Sequence, residues 1–493
     1  MKRSKVDDPV IAGVPISPTM HLLELTEADD EDGFLPSGHV VGSGTLKILA
    51  GTARHLLPDG RVTLLGAIDT VTGAMTLVET GGKKLLVDCG IAQGQAARDW
   101  RFPDAARSAD AVVLTHGHLD HVGSLPALLD AGFEGPIVAT RATLAIAELV
   151  LSDSLRIGGR PEDEIASFRR RLKAQAVPVA YDAPHVPAGF AGSITVHEAG
   201  HILGSTSVEI ETQASRVICS GDLGRPNSPL LRDYNTRWTA ERPVDLVVLE
   251  TTYGDREHGH THADVERELE RIIHRALQDG GHVLIPAFAI GRTQTLLYHL
   301  NTLVEAGRIP SLPVAVDTPM GLKVTELYQH SRQLFDRTAL DQISRGDDPL
   351  DFDNLFAVHR GRDSARLRDV QEPMLIIAGS GMCTGGRIVA HLRELLPLKQ
   401  TCVLFAGFQA KGTPGAAIQR ARSGESVWLD GEDVPVRASI ETLSGLSAHA
   451  DRSELWRWLS AIPNVKTVGL HHGEADVQQQ FAAWAAAKAS EAR

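Results

Sequence analysis

Short apolar runs alternate with longer amphipathic segments along most of the chain, and this pattern predicts an α/β protein. Between residues 60 and 250 the runs have the length and β-branched content of strands, with one helix predicted at Arg141–Leu151. The strands predicted in this part are Val62–Leu65, Met75–Val78, Lys84–Val87, Ala111–Leu114, Ile137–Ala139, Ile194–His197, Val208–Glu211, Arg216–Cys219 and Leu246–Leu249.

From about residue 255 the alternation becomes regular, which is typical of buried parallel strands separated by helices. The strands predicted here are His282–Ile285, Pro313–Val316, Leu355–Val358, Met374–Ala378 and Thr401–Phe405, and the helices include Thr293–Ala306 and Arg387–Leu396. After residue 430 the pattern returns to short elements, predicted as strands Val434–Ala438 and Thr467–Leu470 and helices Ser453–Ala461 and Ala475–Glu491. These changes divide the chain at about residues 58, 254 and 430.

Residues 1–58 are polar, with an acidic centre, and predict a partly disordered extension with one strand at Thr45–Leu49. The chain has 493 residues, of which 43% are hydrophobic, enough for two or three domains with large cores. Its start lacks an apolar signal region, and no run of about 18 apolar residues follows. The four cysteines are scattered without Cys-x-x-Cys spacing. We therefore expect a cytoplasmic protein with reduced thiols that does not span a membrane.

The net charge of −13 argues against a general nucleic-acid coat, because phosphate binding depends on Lys and Arg. The charge does not exclude a local basic groove, for which the candidates are the basic residues within Arg156–Lys173 and Arg360–Arg368. A solvated helix face explains the first group at least as well.

Three imidazoles and a carboxylate crowd into residues 116–121, directly after the predicted strand Ala111–Leu114. Imidazole and carboxylate are ligands that Zn²⁺ accepts. Alternate residues of an extended segment project to one side, so His116 and His118 can share one ion while Asp120 and His121 face a second. The alternative is a His-rich surface turn, but strand ends are where α/β proteins place their sites.

Four more side chains lie at strand ends or in tight loops compatible with a metal site. They are Asp88, His201, Asp222 and His472. Taken alone, an Asp or His at the end of a strand is more often a turn former or a helix cap than a metal ligand. A triplet at His258, His260 and His262 repeats the alternate spacing, but no acidic or cysteine partner accompanies it, so we do not expect metal there.

A glycine-rich stretch between a predicted strand and helix Arg387–Leu396 predicts a phosphate-binding loop, since it can present backbone N–H groups and a helix N-terminus. A tight turn is the alternative for such a loop alone. The phosphate-binding candidates are Ser380, Gly381, Gly385, Gly386, Arg387, Arg292 and Lys411.

The order of these motifs resembles the metallo-β-lactamase fold and, within it, the β-CASP nucleases. The segments that carry the resemblance are Leu86–Gly90, His116–His121, the His201 and Asp222 loops, Leu249–Arg256, Ala378–Arg387, Phe405–Thr413, Ser447–Asp451 and His472–Glu474. They are similar to bacterial and archaeal ribonucleases related to the endonuclease subunit of the cleavage and polyadenylation specificity factor. The resemblance implies an αββα sandwich, formed by residues 59–254 and 431–493, with an inserted β-CASP domain at 255–430 whose parallel sheet is flanked by helices.

The resemblance also implies a role for each site residue. Two Zn²⁺, with Mn²⁺ as an alternative, would be held by His116, His118 and His201 on one ion, by Asp120, His121 and His472 on the other, and by Asp222 between them. Asp88 would orient a ligand histidine. His449 would act as general acid or transition-state donor, with Glu250 fixing its tautomer. Asp88, Asp120, Glu250 and His449 are therefore the catalytic candidates.

The function implied is a zinc-dependent ribonuclease that hydrolyses single-stranded RNA, with endonucleolytic and 5′–3′ exonucleolytic action both open. His472 favours RNA over DNA, because DNA-repair relatives tend to have an aliphatic residue there. A small-ester or lactone hydrolase would not need the insertion, and a catalytically silent RNA-binding scaffold would be expected to lack ligands. A homodimer is an expectation by family analogy alone.

Overall fold

The computed structural model describes residues 46–491, so most of the predicted N-terminal extension lies outside the described residues. Before the insertion the strands are β1 (Lys47–Leu49), β2 (Arg54–Leu57), β3 (Gly60–Gly66), β4 (Met75–Thr80), β5 (Lys83–Val87), β6 (Ala111–Val113), β7 (Ile137–Thr140), β8 (Ala176–Val179), β9 (Ser193–Glu198), β10 (Thr206–Glu211), β11 (Arg216–Cys219) and β12 (Val244–Glu250). The helices of this part are α1 (Leu119–Val122), α2 (Leu125–Asp130), α3 (Arg141–Ile157) and α4 (Glu162–Gln175), with 3₁₀ turns at Gly94–Arg98 and Asp104–Ser108.

The inserted part has strands β13 (Val283–Pro286), β14 (Val314–Asp317), β15 (Leu355–Ala357), β16 (Leu375–Ala378), β17 (Cys402–Phe405), β18 (Ser426–Leu429), β19 (Glu432–Pro435) and β20 (Ser439–Thr442). Its helices are α5 (His262–Gln278), α6 (Arg292–Glu305), α7 (Pro319–His330), α8 (Arg337–Ser344), α9 (Gly361–Leu367), α10 (Arg387–Leu395) and α11 (Pro414–Arg420), with a 3₁₀ turn at Arg332–Leu334. The chain ends with α12 (Arg452–Ser460), β21 (Val465–His471) and α13 (Ala475–Glu491).

Two sheets pack face to face in the first unit. One has seven strands in the order β2 to β8, and the other has six in the order β1-β21-β12-β11-β10-β9. Val62, Val113, Val208 and Val248 are among the buried side chains between the sheets. Helices α2 to α4 cover the outer face of the first sheet, and α12 and α13 cover the second with the fully buried Trp458 and Phe481. Burial of a large apolar side chain contributes about 1.5–3 kcal/mol, so these faces hold the layers together. The predicted αββα sandwich is confirmed.

The inserted unit is a parallel six-stranded sheet in the order β15-β14-β16-β13-β17-β20. Helices α5 to α8 pack on one face, and α9 to α11 with the β18–β19 hairpin pack on the other. The first of these cores also includes Ala142, Ile146 and Val150 of α3, so the insertion shares a continuous apolar contact with the sandwich.

The C-terminal boundary predicted at residue 430 falls inside the β18–β19 hairpin, and β20 still pairs with β17. We therefore propose that the insertion ends after β20. The predicted strand Val434–Ala438 is divided in the structure between the end of β19 and a linker. Val434, Val436 and Ala438 are buried alternately there, but the N–H groups of residues 437 and 438 both donate to the Leu396 carbonyl instead of a neighbouring strand.

Candidate metal centre

The candidate ligands gather where parallel strands end. Asp88 follows β5, residues 115–121 follow β6, Asp222 follows β11, and His472 follows β21. Strands β5 and β6 are parallel neighbours in one sheet, and β11, β12 and β21 are parallel in the other. Their carboxyl ends therefore meet at one edge of the sandwich. Asp88 and His472 have positive φ angles of 62° and 51°, a region that non-glycine residues rarely adopt and that often marks functional sites.

The first donor group contains three imidazoles and one carboxylate oxygen. The His118 Nδ1 atom lies 3.1 Å from His116 Nε2 and 3.2 Å from His201 Nε2. Asp222 Oδ2 lies 3.6 Å from His116 Nε2 and 3.7 Å from His201 Nε2. A tetrahedral Zn²⁺ with bonds of about 2.0–2.1 Å requires donors roughly 3.3–3.4 Å apart, which is close to this spacing.

The second donor group lies on the other side of Asp222. His121 Nε2 is 3.4 Å from Asp222 Oδ1, and His472 Nε2 is 3.6 Å from Asp120 Oδ2. Asp222 thus turns one oxygen toward each group, the arrangement expected of a carboxylate that bridges two cations.

Unsatisfied atoms and charge states both test whether these residues fit metal. His121 Nε2, Asp222 Oδ1 and His472 Nε2 are buried without a hydrogen-bond partner, which costs about 1–3 kcal/mol each unless a cation binds. Burial lowers the pKa of His116 well below its usual range and lowers that of His118 to about 4. Neutral imidazoles are the form that metals bind, so His116 and His118 fit a divalent cation. Although burial disfavours the charged ring of His121, Asp222 and Asp88 raise its pKa well above its usual range, and a bound cation would have to displace that proton.

Hydrogen bonds on the far side of the ligand rings fix which nitrogen faces the ions. His121 Nδ1 donates to Asp88 Oδ2 at 2.7 Å, and the Thr115 amide and hydroxyl donate to the two Asp88 oxygens at the same distance. His201 Nδ1 donates to the Ala448 carbonyl at 2.9 Å. Each contact leaves Nε2 as the metal-facing lone pair. Sequence reasoning missed Thr115 and Ala448, because a threonine at a strand end and a main-chain carbonyl have no chemical signature.

His449 lies beside both donor groups. Its Nδ1 is 3.3 Å from Glu250 Oε1 and 3.9 Å from Asp222 Oδ2. Although burial disfavours the charged ring, Glu250 and the other carboxylates raise the pKa of His449 to about 9. Asp222, Glu250 and His449 are close enough to form a third donor group. However, the Glu250 oxygens already accept from the amides of Leu223 and Thr252, which favours a role in orienting His449.

The histidine triplet after β12 has the alternate spacing of the metal motif, but one of its members has a structural role. His258 Nε2 donates to the His449 carbonyl at 3.0 Å, and its amide donates to Asp451 at 2.8 Å. Asp451 also caps α12 in a capping box with Glu454. In residues 46–491 none of the triplet belongs to a metal-compatible group. His258 therefore fixes the backbone on which His449 sits, a role that the sequence did not indicate.

The glycine-rich loop lies at the carboxyl edge of the inserted sheet. The Ser380 amide donates to the Gly385 carbonyl, the Gly381 carbonyl accepts from Gln409, and Gly386 precedes α10 with φ 74°. Arg387 is already engaged: its guanidinium donates to Asp317 and to the carbonyls of residues 358 and 359. A phosphate-binding role for Arg387 stays a prediction that these contacts do not favour.

Arg292 is brought toward the metal centre. Its Nη1 donates to the Leu446 carbonyl in the loop that leads to His449, while its Nε is buried without a hydrogen-bond partner. Burial lowers the pKa of Arg292 to about 10, so it remains a cation at neutral pH. Lys411 is exposed and follows β17. The basic candidates on α3 and α4 pair across the helix surface, as in Arg156–Glu162 and Arg169–Glu148, and fit a solvated face.

Three family models match the chain in sequence order. Residues 68–277 match the metallo-beta-lactamase superfamily, residues 293–418 match the Beta-Casp domain, and residues 433–492 match the Zn-dependent metallo-hydrolase RNA specificity domain. Within the described residues no helix combines the length and the apolar character needed to cross a bilayer.

Known proteins resemble the chain over most of its length. Ribonuclease TTHA0252 of Thermus thermophilus is 38% identical, over 84% of this chain and 93% of the relative. Transcription termination factor FttA of Methanocaldococcus jannaschii is 29% identical, over 86% of this chain and 68% of the relative. A crystal structure of a protein of unknown function from Enterococcus faecalis superimposes with a TM-score of 0.50 at 12% identity, covering 85% of this chain and 95% of that one, and shows similarity of fold alone.

Proposed function

Because the chain belongs to the β-CASP family of the metallo-β-lactamase superfamily, we propose that it is a metal-dependent ribonuclease that hydrolyses phosphodiester bonds of single-stranded RNA. One observation carries the proposal: an imidazole outside both histidine-rich donor groups, His449, lies beside them and is oriented by Glu250. A metal centre that only hydrolysed small esters or lactones would need neither this histidine nor the insertion that delivers it.

The proposed cofactors are two Zn²⁺, with Mn²⁺ as an alternative. His116, His118 and His201 would hold one ion, Asp120, His121 and His472 the other, and Asp222 would bridge them. When bound, such a pair supplies an acidified water and neutralises negative charge on the attacked phosphate. The chain itself supplies the orientation of the donors, through Asp88 on His121 and through the Ala448 carbonyl on His201.

The proposed role of His449 is proton transfer. The oxygen of water forms the new bond to phosphorus and releases a proton to solvent, the bond from phosphorus to the 3′-oxygen breaks, and His449 gives its proton to that departing oxygen and afterwards regains one from solvent. The products would be a 3′-hydroxyl and a 5′-phosphate. Glu250 accepts from Nδ1, which leaves Nε2 to carry the transferred proton.

Cleavage of labelled RNA tests the proposal. Metal-replete protein, Asp120→Ala and His449→Ala would be given a 5′-labelled single-stranded RNA and a DNA of the same sequence. We expect the unaltered protein to cut RNA and spare DNA, with loss of activity in both variants, and product lengths would separate internal from end-directed cleavage. If RNA survives while an ester or lactone is hydrolysed in an Asp120-dependent way, the nuclease proposal is wrong. Equal cutting of the DNA would favour a DNA-acting nuclease.

Further expectations concern the setting of the enzyme. Action in the cytoplasm and assembly as a homodimer remain predictions, which fractionation and sedimentation would test. Metal analysis of protein purified without added metal would test the expected zinc.

A further inference from the structure

Two exposed phenylalanines lie on neighbouring loops at the carboxyl edge of the inserted sheet. Phe288 follows β13 and is 41% exposed, and Phe408 follows β17 and is 66% exposed. An aromatic ring held in water loses the free energy of burial, so a pair of such rings on one edge suggests a binding surface.

Glycines keep the Phe288 ring uncovered. A side chain at Gly381 would begin 2.7 Å from the ring, and one at Gly407 would begin 3.8 Å from it. Gln409 ties the Gly381 loop to the Gly407 loop, since its side-chain amide donates to the carbonyls of Gly381 and Gly407 at 2.9 and 3.2 Å. Phe408 lies between Gly407 and Gln409 in the chain, and the Phe288 ring lies against Gly381, so both aromatic residues adjoin one pair of hydrogen-bonded loops.

A cation connects this unit to the metal centre. The position of a Gly407 side chain would also lie 3.8 Å from Arg292 Nε, the atom that is buried without a hydrogen-bond partner. Within residues 46–491 no carboxylate acts on the Arg292 charge, and a cation without a counter-ion favours an anionic ligand. Arg292 and the candidate metal donor His201 line the same cleft, together with Ser447 and Ala448.

We infer that Phe288 and Phe408 form a base-stacking step for single-stranded RNA, with Arg292 binding a backbone phosphate between this step and the scissile bond. This inference rests on the proposed function and deepens it. Aromatic rings stack on any unpaired base, because every base has a π-face, whereas a duplex offers none along its length. The step therefore selects single strands without selecting a sequence.

Binding of short RNA to Phe408→Ala tests the step, with Asp120→Asn as the common background so that no RNA is cut. We expect binding about 5- to 30-fold weaker, with most of the affinity kept in Phe408→Tyr and not in Phe408→Leu. Trp428→Ala is the matched control, because Trp428 is 64% exposed on the β18–β19 hairpin, and it should bind RNA normally.

Abasic RNA makes the test specific for stacking. A single abasic site moved along the RNA should weaken binding at one or two positions, and this loss should disappear in Phe408→Ala. Arg292→Gln should instead reduce the slope of log affinity against log salt by roughly 0.7, the value for one phosphate of a single strand, while Phe408→Ala leaves the slope unchanged. Abasic losses that persist in Phe408→Ala, or equal affinity of Phe408→Ala and the control, would overturn the inference.

The outcomes remain separable from those for the proposed function. Failure of the unaltered protein to cut RNA, with binding that still depends on Phe408, would remove the nuclease and keep the step. Normal RNA cutting by the unaltered protein, together with unchanged RNA binding in Phe408→Ala, would keep the nuclease proposal and remove the stacking step. If Phe408→Ala changes the sedimentation of the protein but not its RNA binding, the surface is an interface between copies of the chain, and the inference is also overturned.

Discussion

Replacing Asp88 by Asn should weaken metal binding although Asp88 touches no metal in the proposed site. Asp88 Oδ1 accepts from the Thr115 amide, which fixes the orientation of the group, so the new amide nitrogen would take the place of Oδ2. That nitrogen would then face His121 Nδ1, which lies 2.7 Å from Oδ2 in the unaltered protein. Both groups would be hydrogen-bond donors and could not pair. His121 could relieve the conflict only by moving its proton to Nε2, the atom that must offer a lone pair to the ion.

The expected cost follows from the hydrogen bond that is lost. A carboxylate that orients a ligand histidine typically contributes 10- to 100-fold to metal affinity, or about 1.4–2.7 kcal/mol. We expect Asp88→Asn to lose metal from the His121 group first, because Asp222 and the three histidines of the first group keep their contacts. RNA cleavage should fall with metal occupancy and recover in part when free metal is raised.

Metal content after dialysis against a series of buffered metal concentrations measures this directly. Asp59→Asn is the matched control: Asp59 likewise accepts three hydrogen bonds, from the hydroxyl groups of Thr80, Thr212 and Ser215, but it lies away from the metal centre. Its metal affinity should equal that of the unaltered protein. Unchanged affinity in Asp88→Asn, with the fold intact by circular dichroism, would refute the tautomer argument.

Three other perturbations have expected outcomes. Gly90→Ala should abolish activity while every ligand is retained, because the new Cβ would lie 1.7 Å from the Asp120 carbonyl oxygen and displace its loop; cleavage of labelled RNA checks this. Arg216→Met should lower the free energy of unfolding in urea by about 3–5 kcal/mol, because it removes the cation that contacts the buried Glu209 at 2.6 Å and leaves that carboxylate with His197 as its partner, whereas Arg61→Met at an exposed pair should change little. Removal of metal by a chelator should lower thermal stability; at free metal 100 times its dissociation constant the loss is about 2.7 kcal/mol per ion, and an unchanged melting temperature would contradict metal binding at the buried donors.

Apolar runs in the sequence predicted the strands that are buried on both faces. They also located the candidate metal ligands that directly follow those strands. Strand β11 has the predicted limits, and the strands that lead to Asp88, Asp222 and His472 were found, because continuous apolar runs report burial directly. Helix α13 also has its predicted limits, although it is buried on one face only. The edge strands β2 and β8 were missed. Only one residue of β2 is buried. Strand β8 contains Pro178 and has no buried residue, so neither strand has an apolar run in its sequence that would predict it.

The predicted strand at Val434–Ala438, which is not one strand in the structure, shows what alternation of apolar residues measures. Its alternate residues are buried as a strand's would be, yet the main chain between β19 and β20 bonds to a helix end. Alternation reports which side chains face a core and cannot say where the backbone hydrogen bonds go. The same limit explains why contacts made by main-chain groups, such as the Ala448 carbonyl on His201, lay beyond sequence reasoning.

The loop at residues 443–450 links the two units at the point where chemistry would occur. It leaves β20 of the inserted sheet and delivers His449 to ligands that belong to the sandwich. Side chains of both units bind its main chain: Arg292 donates to the Leu446 carbonyl, His201 donates to that of Ala448, and His258 donates to that of His449. Because Arg292 belongs to the inserted unit and His201 to the sandwich, a shift of one unit against the other would strain this loop and move the proposed acid away from the scissile bond. RNA that bridges the aromatic step and the metal centre would hold the two units in register, so substrate binding would itself complete the arrangement required for proton transfer.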